Sequence, residues 1–146
     1  MSHEKLLTVY YFQGEHLMKT DVVKTEKYVL SVDQTKNRIY YTMLGFWRNP
    51  SDIPNLLRDW KQTLAHVTKG FTLCADLTQC QPAAQSTKPL FEQVQRMLII
   101  AGVKKSAELF GESAIVELGA ATLARHTGIP KQHFKDRQEA EVWLDR

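Results

Sequence analysis

The run Phe71-Thr72-Leu73-Cys74-Ala75-Asp76-Leu77 is apolar on both faces that a strand would present, interrupted only at Thr72 and Asp76. A strand of that kind belongs at the centre of a sheet covered on both sides, and such sheets are largely parallel. Parallel neighbours need long crossovers, usually helices, so this one run commits the chain to an α/β architecture. It ends on a carboxylate, Asp76, followed by Thr78, a polar loop from Gln79 to Pro89, and a helix that opens near Ser86 and Thr87. The carboxyl ends of strands in α/β sheets are where ligands bind. The same run therefore marks a place for function as well as a fold.

The flanking pattern fills in the rest. Tyr28–Asp33 and Arg38–Gly45 are rich in β-branched and aromatic residues, and the polar turn Gln34–Asn37 joins them as an antiparallel hairpin. Before the hairpin, Thr8, Tyr10 and Phe12 alternate with Leu7, Val9 and Tyr11, which reads as an extra strand in an N-terminal extension covering about residues 1–24. Ser51 is the expected N-cap of a first helix, with Pro54 at its third position and an apolar stripe from Ile53 through Leu56, Leu57, Trp60 and Leu64 to Val67. A second helix carries Leu90, Phe91, Val94, Met97, Leu98 and Ala101 on one face and stops at Gly102. A short strand, Ser106–Phe110, leads to a helix from Ser113 to His126. Its small residues Gly119, Ala120 and Ala124 would allow close approach to the sheet. Gln132–Phe134 is a last strand. Asp136 with Glu139 forms a capping box for a final helix that buries Ala140, Trp143 and Leu144. The expectation is a single α/β domain: a mixed sheet of about four to six strands, starting with an antiparallel hairpin, with about four helices packed on it.

Composition narrows the function. The chain has 146 residues and a formal net charge of +3. Its basic residues are dispersed, with no cluster beyond Lys104-Lys105, which argues against nucleic acid as a partner. No stretch approaches the roughly 20 apolar residues of a membrane span, and no signal-peptide pattern opens the chain. The two cysteines, Cys74 and Cys80, have neither zinc-site nor disulfide-framework spacing, and a cytoplasmic location with reduced thiols follows. Phosphate-loop, dinucleotide, zinc-protease and nucleophile-elbow motifs are absent, and none of the five histidines has a ligand-spaced partner. No cofactor and no metal are expected.

The order of elements, together with Tyr28-Val29-Leu30-Ser31-Val32-Asp33, Asn37-Arg38-Ile39-Tyr40, Gly45-Phe46-Trp47, Asp59-Trp60, Gly70-Phe71-Thr72, Asp76-Leu77-Thr78 and Glu139-Ala140-Glu141-Val142-Trp143-Leu144, resembles the STAS-like superfamily. These are the sulfate transporter and anti-sigma-factor antagonist domains, and the resemblance leans to the divergent bacterial STAS/SEC14-like branch. It runs from about Lys24 to the end of the sequence and rests on fold-specifying residues. It implies a small non-enzymatic protein that works through protein contacts, as a homodimer or with a regulatory partner. In the anti-sigma-antagonist branch a Ser or Thr opening the helix after the central strand is phosphorylated. Ser86 and Thr87 lie in that region, although the Asp-Ser-Ser-Gly-like context is missing here. A related topology, that of the CRAL-TRIO lipid carriers, implies the alternative of a module that binds a small apolar, lipid-like molecule.

The candidate residues are therefore few. Asp76 and Thr78 at the strand end, and Ser86 and Thr87 at the helix start, are the regulatory or ligand-loop candidates. Phe46 and Trp47 are the candidate partner contacts, because aromatic side chains dominate binding hot spots. A weaker enzyme reading would use Asp76 with Thr78 or Cys80. The apolar-ligand alternative requires a cavity of several hundred cubic ångströms between the sheet and the Ser113–His126 helix.

Overall fold

Seven strands, in the order of the chain, make one sheet in the computed structural model, which describes residues 7–12 and 15–146. β1 (Leu7–Phe12), β2 (Glu15–Lys24), β3 (Tyr28–Asp33) and β4 (Arg38–Gly45) form an antiparallel meander. β5 (Thr72–Cys80), β6 (Lys105–Leu109) and β7 (Lys131–Phe134) continue from β4 as parallel strands. The helices are α1 (Leu56–Leu64), α2 (Lys88–Ala101), α3 (Ala114–Thr127) and α4 (Arg137–Asp145). Each parallel strand is added on the same side of the one before it. Right-handed crossovers then put α1, α2 and α3 on one face of the sheet and leave the other face to α4.

Two cores result. The larger packs Leu30, Ile39, Tyr41, Phe71 and Leu73 of the sheet against Leu56 and Trp60 of α1 and Val94 and Leu98 of α2. The smaller packs Tyr40, Cys74, Ala107 and Leu109 against Ala140 and Leu144 of α4. The alternation of Tyr40 with Ile39 and Tyr41, and of Cys74 with Leu73 and Ala75, sends successive side chains to opposite cores. That is why β5 reads as apolar throughout.

Three expectations change. The N-terminal region contributes two strands, so the sheet has seven; β2 pairs with β3, and Val22 and Val23 pack on the larger core. The first helix does not begin after Ser51. Asn49 caps a short 3-10 turn, Pro50–Asp52, by accepting from the Ser51 N–H at 2.9 Å. Ile53, forced out of the helical region by the Pro54 ring behind it (φ −135°, ψ 58°), breaks the chain before α1 starts at Leu56. Finally, β5 runs on to Cys80. Between the pairs Thr42↔Asp76 and Leu44↔Gln79 it holds one residue more than β4, a bulge that re-aims the strand end.

A buried polar contact ties the hairpin to α1. The Tyr28 hydroxyl donates to Asp59 Oδ2 at 2.6 Å, with both residues buried. Burial first, and then the Asp59 carboxylate, push the Tyr28 phenol far above its ordinary range. Tyr28→Phe leaves that carboxylate without its donor and is expected to cost about 2 kcal/mol in urea unfolding. A loss under about 0.5 kcal/mol would show that the contact carries little.

Candidate functional site

A cavity of about 420 Å³ lies between the sheet and helices α2 and α3. Its floor is Tyr41 and Met43 of β4 with Leu73, Ala75 and Leu77 of β5. Phe91, Val94 and Leu98 of α2 form one wall, and Val116, Ala120 and Leu123 of α3 form the facing one. The segment Cys80–Gln85, after the β5 bulge, contributes the rim. A cavity of this size and lining, at the carboxyl end of a central parallel strand, has the character of a small-molecule site.

Gly119 and Ala120 do not bring α3 close to the sheet, and the Ala124 side chain lies outside the described residues. A Cβ at Gly119 would meet no atom within 4 Å, and Ala120 lines open space. Short side chains over the large floor of β4 and β5 leave volume that bulky ones would have filled. Polar contacts set the spacing instead. The Thr127 hydroxyl meets Gln95 Oε1 of α2 at 2.5 Å, and Glu117 of α3 lies 3.4 Å from His133 Nδ1 of β7.

One part of the floor is polar. Ser106 and Glu108 of β6 face the cavity, as does Lys131 of β7. Lys131 Nζ donates to Glu108 Oε2 at 2.7 Å, and both side chains are at least nine-tenths buried. This pair is not among the residues nominated from sequence. The signal is a Glu flanked by apolar residues on a short interior strand, Ala107-Glu108-Leu109, where a charge is rarely buried unless it is paired.

The residues nominated from sequence fall in three separate places. Asp76 is on the α4 face, away from the cavity. Its Oδ1 accepts from the Thr78 N–H at 2.9 Å and the Thr78 hydroxyl at 2.6 Å, and its Oδ2 accepts from Arg137 at 3.0 Å. Asp76 thus pins Thr78 at the β5 bulge and, through Arg137, holds α4. Ser86 is exposed beside the cavity rim, its hydroxyl 3.3 Å from the Arg48 carbonyl. Thr87 is fully buried and donates to the Ala84 carbonyl at 2.7 Å, so it is corrected as a phosphate acceptor: its hydroxyl closes the 3-10 turn that starts α2. Trp47 is likewise corrected as a partner contact. It is 1 % exposed, packs between the rings of Tyr28 and Phe91, and donates its indole N–H to the carbonyls of Leu44 and Lys27. Its size and single donor suit a core position with two carbonyls in reach. Phe46, at 37 % exposure, is the half of that pair on the surface.

No protein-family model matches the chain, and a search of curated proteins returns no match. Among solved structures, an uncharacterized protein of the DUF3478 family from Shewanella loihica PV-4, described as having a SpoIIAA-like fold, superimposes with a TM-score of 0.52. The match covers 99 % of this chain and 98 % of that one at 13 % sequence identity. The chain has a SpoIIAA-like fold. This is the STAS-like arrangement that the element order resembled, and at that identity the likeness speaks to fold alone. Among the described residues no helix is long and apolar enough to cross a membrane, and no group of three or more His, Cys, Asp and Glu could hold a metal ion.

Both thiols are set against reaction at neutral pH. Burial pushes the Cys74 thiol, under α4, and the Cys80 thiol, at the cavity rim, up to about 11. The thiolate is the reactive form. Iodoacetamide labelling is therefore expected to be slow at neutral pH and to rise about tenfold per pH unit on the way to that value, with half-buried Cys80 modified before buried Cys74. Rapid neutral-pH labelling of either residue would contradict this.

Proposed function

We propose that this chain is a non-enzymatic binding module that holds a small apolar, lipid-like molecule in the cavity between the sheet and α3. The observation that carries this reading is the cavity itself: about 420 Å³, largely apolar, and formed by two helices over the centre of the sheet. A fold needing only stability would gain by closing it, since unfilled apolar volume costs contacts. Native mass spectrometry of freshly purified protein tests the reading. The expected spectrum carries a bound mass that is released on unfolding. Protein that carries no such mass and takes up no apolar probe would end the proposal.

A second reading, regulation through protein contacts, is favoured by one observation: Ser86 is exposed at the turn that opens α2, beside the cavity rim. A phosphate there would add negative charge to a surface that a partner could read. On this reading the same spectrum, taken after co-expression with cell kinases, shows a phosphate on Ser86 and none on Thr87, and it reports whether the chain is a homodimer. Modification of neither residue would leave this reading without support.

A further inference from the structure

We propose that the cavity's ligand is an amphiphile with a neutral hydrogen-bond donor as its head group, a long-chain alcohol being the simplest case, whose hydroxyl donates to Oε1 of Glu108. This rests on the reading of the cavity as a ligand site and names the chemistry that site selects.

Glu108 is 6 % exposed and lines the cavity. Its two carboxylate oxygens have different surroundings. Oε2 is taken by Lys131 Nζ at 2.7 Å. Oε1 has no hydrogen-bond partner among the described residues. His133 Nε2 stands 3.7 Å from it, beyond hydrogen-bond reach, with its ring packed edge-on against Phe110. Buried acceptors are almost always satisfied, and one left unmade costs about 1–3 kcal/mol. The indole N–H of Trp60 is the other unmatched polar atom on the cavity wall, but it sits beside the Tyr41 phenol, which interacts with it. Glu108 Oε1 is therefore the unmatched acceptor of the cavity lining; it has almost no exposed surface of its own, so a ligand donor reaches it only as the Glu108 carboxylate turns toward the cavity.

The register sets the pair at the edge of the apolar floor. Glu108 lies between Ala75 of β5 and His133 of β7, and Ser106 between Leu73 and Lys131, so a polar strip along β6 and β7 borders the apolar residues of β5. Apolar side chains in place of a buried ion pair are often neutral or stabilising. The pair instead gives the floor one anionic acceptor whose charge is already balanced by Lys131. A carboxylate head would set a second anion against Glu108 while Lys131 is engaged. An ammonium head would crowd a second cation beside Lys131. An ester offers only acceptors and leaves Oε1 as it was. A hydroxyl supplies the one missing donor and adds no charge.

The test is displacement of the fluorescent probe N-phenyl-1-naphthylamine by 1-decanol, methyl decanoate and decanoate, each below its solubility or micelle limit. With the unaltered protein, 1-decanol is expected to bind at least about tenfold more tightly than either of the others, as a hydrogen bond to a buried charged acceptor implies. Glu108→Gln leaves Lys131 without its counter-charge and is expected to move the preference toward decanoate by at least about tenfold. In the double variant Glu108→Leu with Lys131→Met, alcohol and ester are expected to bind alike. If decanoate or the ester matches the alcohol in the unaltered protein, the head-group assignment is overturned while the cavity reading stands. If the probe itself does not bind, both fall. The comparison on the unaltered protein decides alone if either variant fails to fold.

Discussion

Arg38→Ala is expected to destabilise the fold by about 3 kcal/mol, the largest loss from any single side chain considered for this chain. Arg38 is the first residue of β4, and its side chain is 2 % exposed. Its Nε donates to the Thr72 hydroxyl at 2.9 Å, one amino group donates to the Glu141 carboxylate, and the other to Asp145 Oδ1 at 2.8 Å. One guanidinium thus joins β4, β5 and α4, and its planar fork suits two carboxylates at once. Removing it takes the hydrogen-bonded cation from the largely buried Glu141 carboxylate, which is the costly half of breaking a buried pair. Asp145 is half-exposed and adds little, and Lys36 lies only 3.8 Å from Glu141, so some compensation remains. For a chain of this size the loss corresponds to roughly 6–12 °C in Tm. Adding Glu141→Leu to Arg38→Met should recover most of it, because no buried charge is then left alone. An Arg38→Ala protein within about 1 kcal/mol of the parent would mean that α4 is held by its apolar contacts alone.

The second large effect is on binding. Ala120→Phe places a phenyl ring from α3 into the space between Val116, Leu123 and the sheet. Affinity for an apolar probe is expected to fall by about 100-fold or more, since the ring occupies the volume the ligand needs. Stability is expected to hold or to rise slightly, because the new ring buries apolar surface in space already open. That combination separates a filled site from a damaged one. Val142→Phe, on the exposed side of α4 and on the opposite face of the sheet, should leave probe binding unchanged. Equal losses from both variants would indicate that the probe binds elsewhere.

Much of the fold was legible in the sequence because strong local signals agreed with it. The two-faced apolar run of β5, the Tyr28–Gly45 hairpin, Gly102 at φ 92° ending α2, and the Asp136 cap accepting from the Gln138 N–H are all in place. α1 starts later than its apolar stripe suggests because the effect of Pro54 on Ile53 outweighs the capping preference of Ser51. The bulge in β5 has no marker in the run Leu77–Cys80, and it is what puts Cys80, and the rim behind it, on the cavity side. The site was harder to read. Sequence drew attention to Asp76 because a carboxylate at a strand end is conspicuous. Strand alternation sends it to the α4 face, where Thr78 and Arg137 occupy it. The cavity depends on what is missing between α3 and the sheet, and small residues on a helix predict close packing and open space equally well. Whether Gly119 and Ala120 meet the sheet is decided by where α2 and β7 hold α3, a property of tertiary contacts that periodicity does not carry.

The most direct measurement is a methyl-resolved NMR titration of the unaltered protein with 1-decanol. Saturable shifts are predicted at Leu73 and Leu77 on the sheet, Val94 and Leu98 on α2, and Val116 and Leu123 on α3. Leu144 and Val142, on the α4 side, should not move. Shifts confined to the α4 side, or no saturable shift at the six cavity residues, would contradict a ligand site between the sheet and α3.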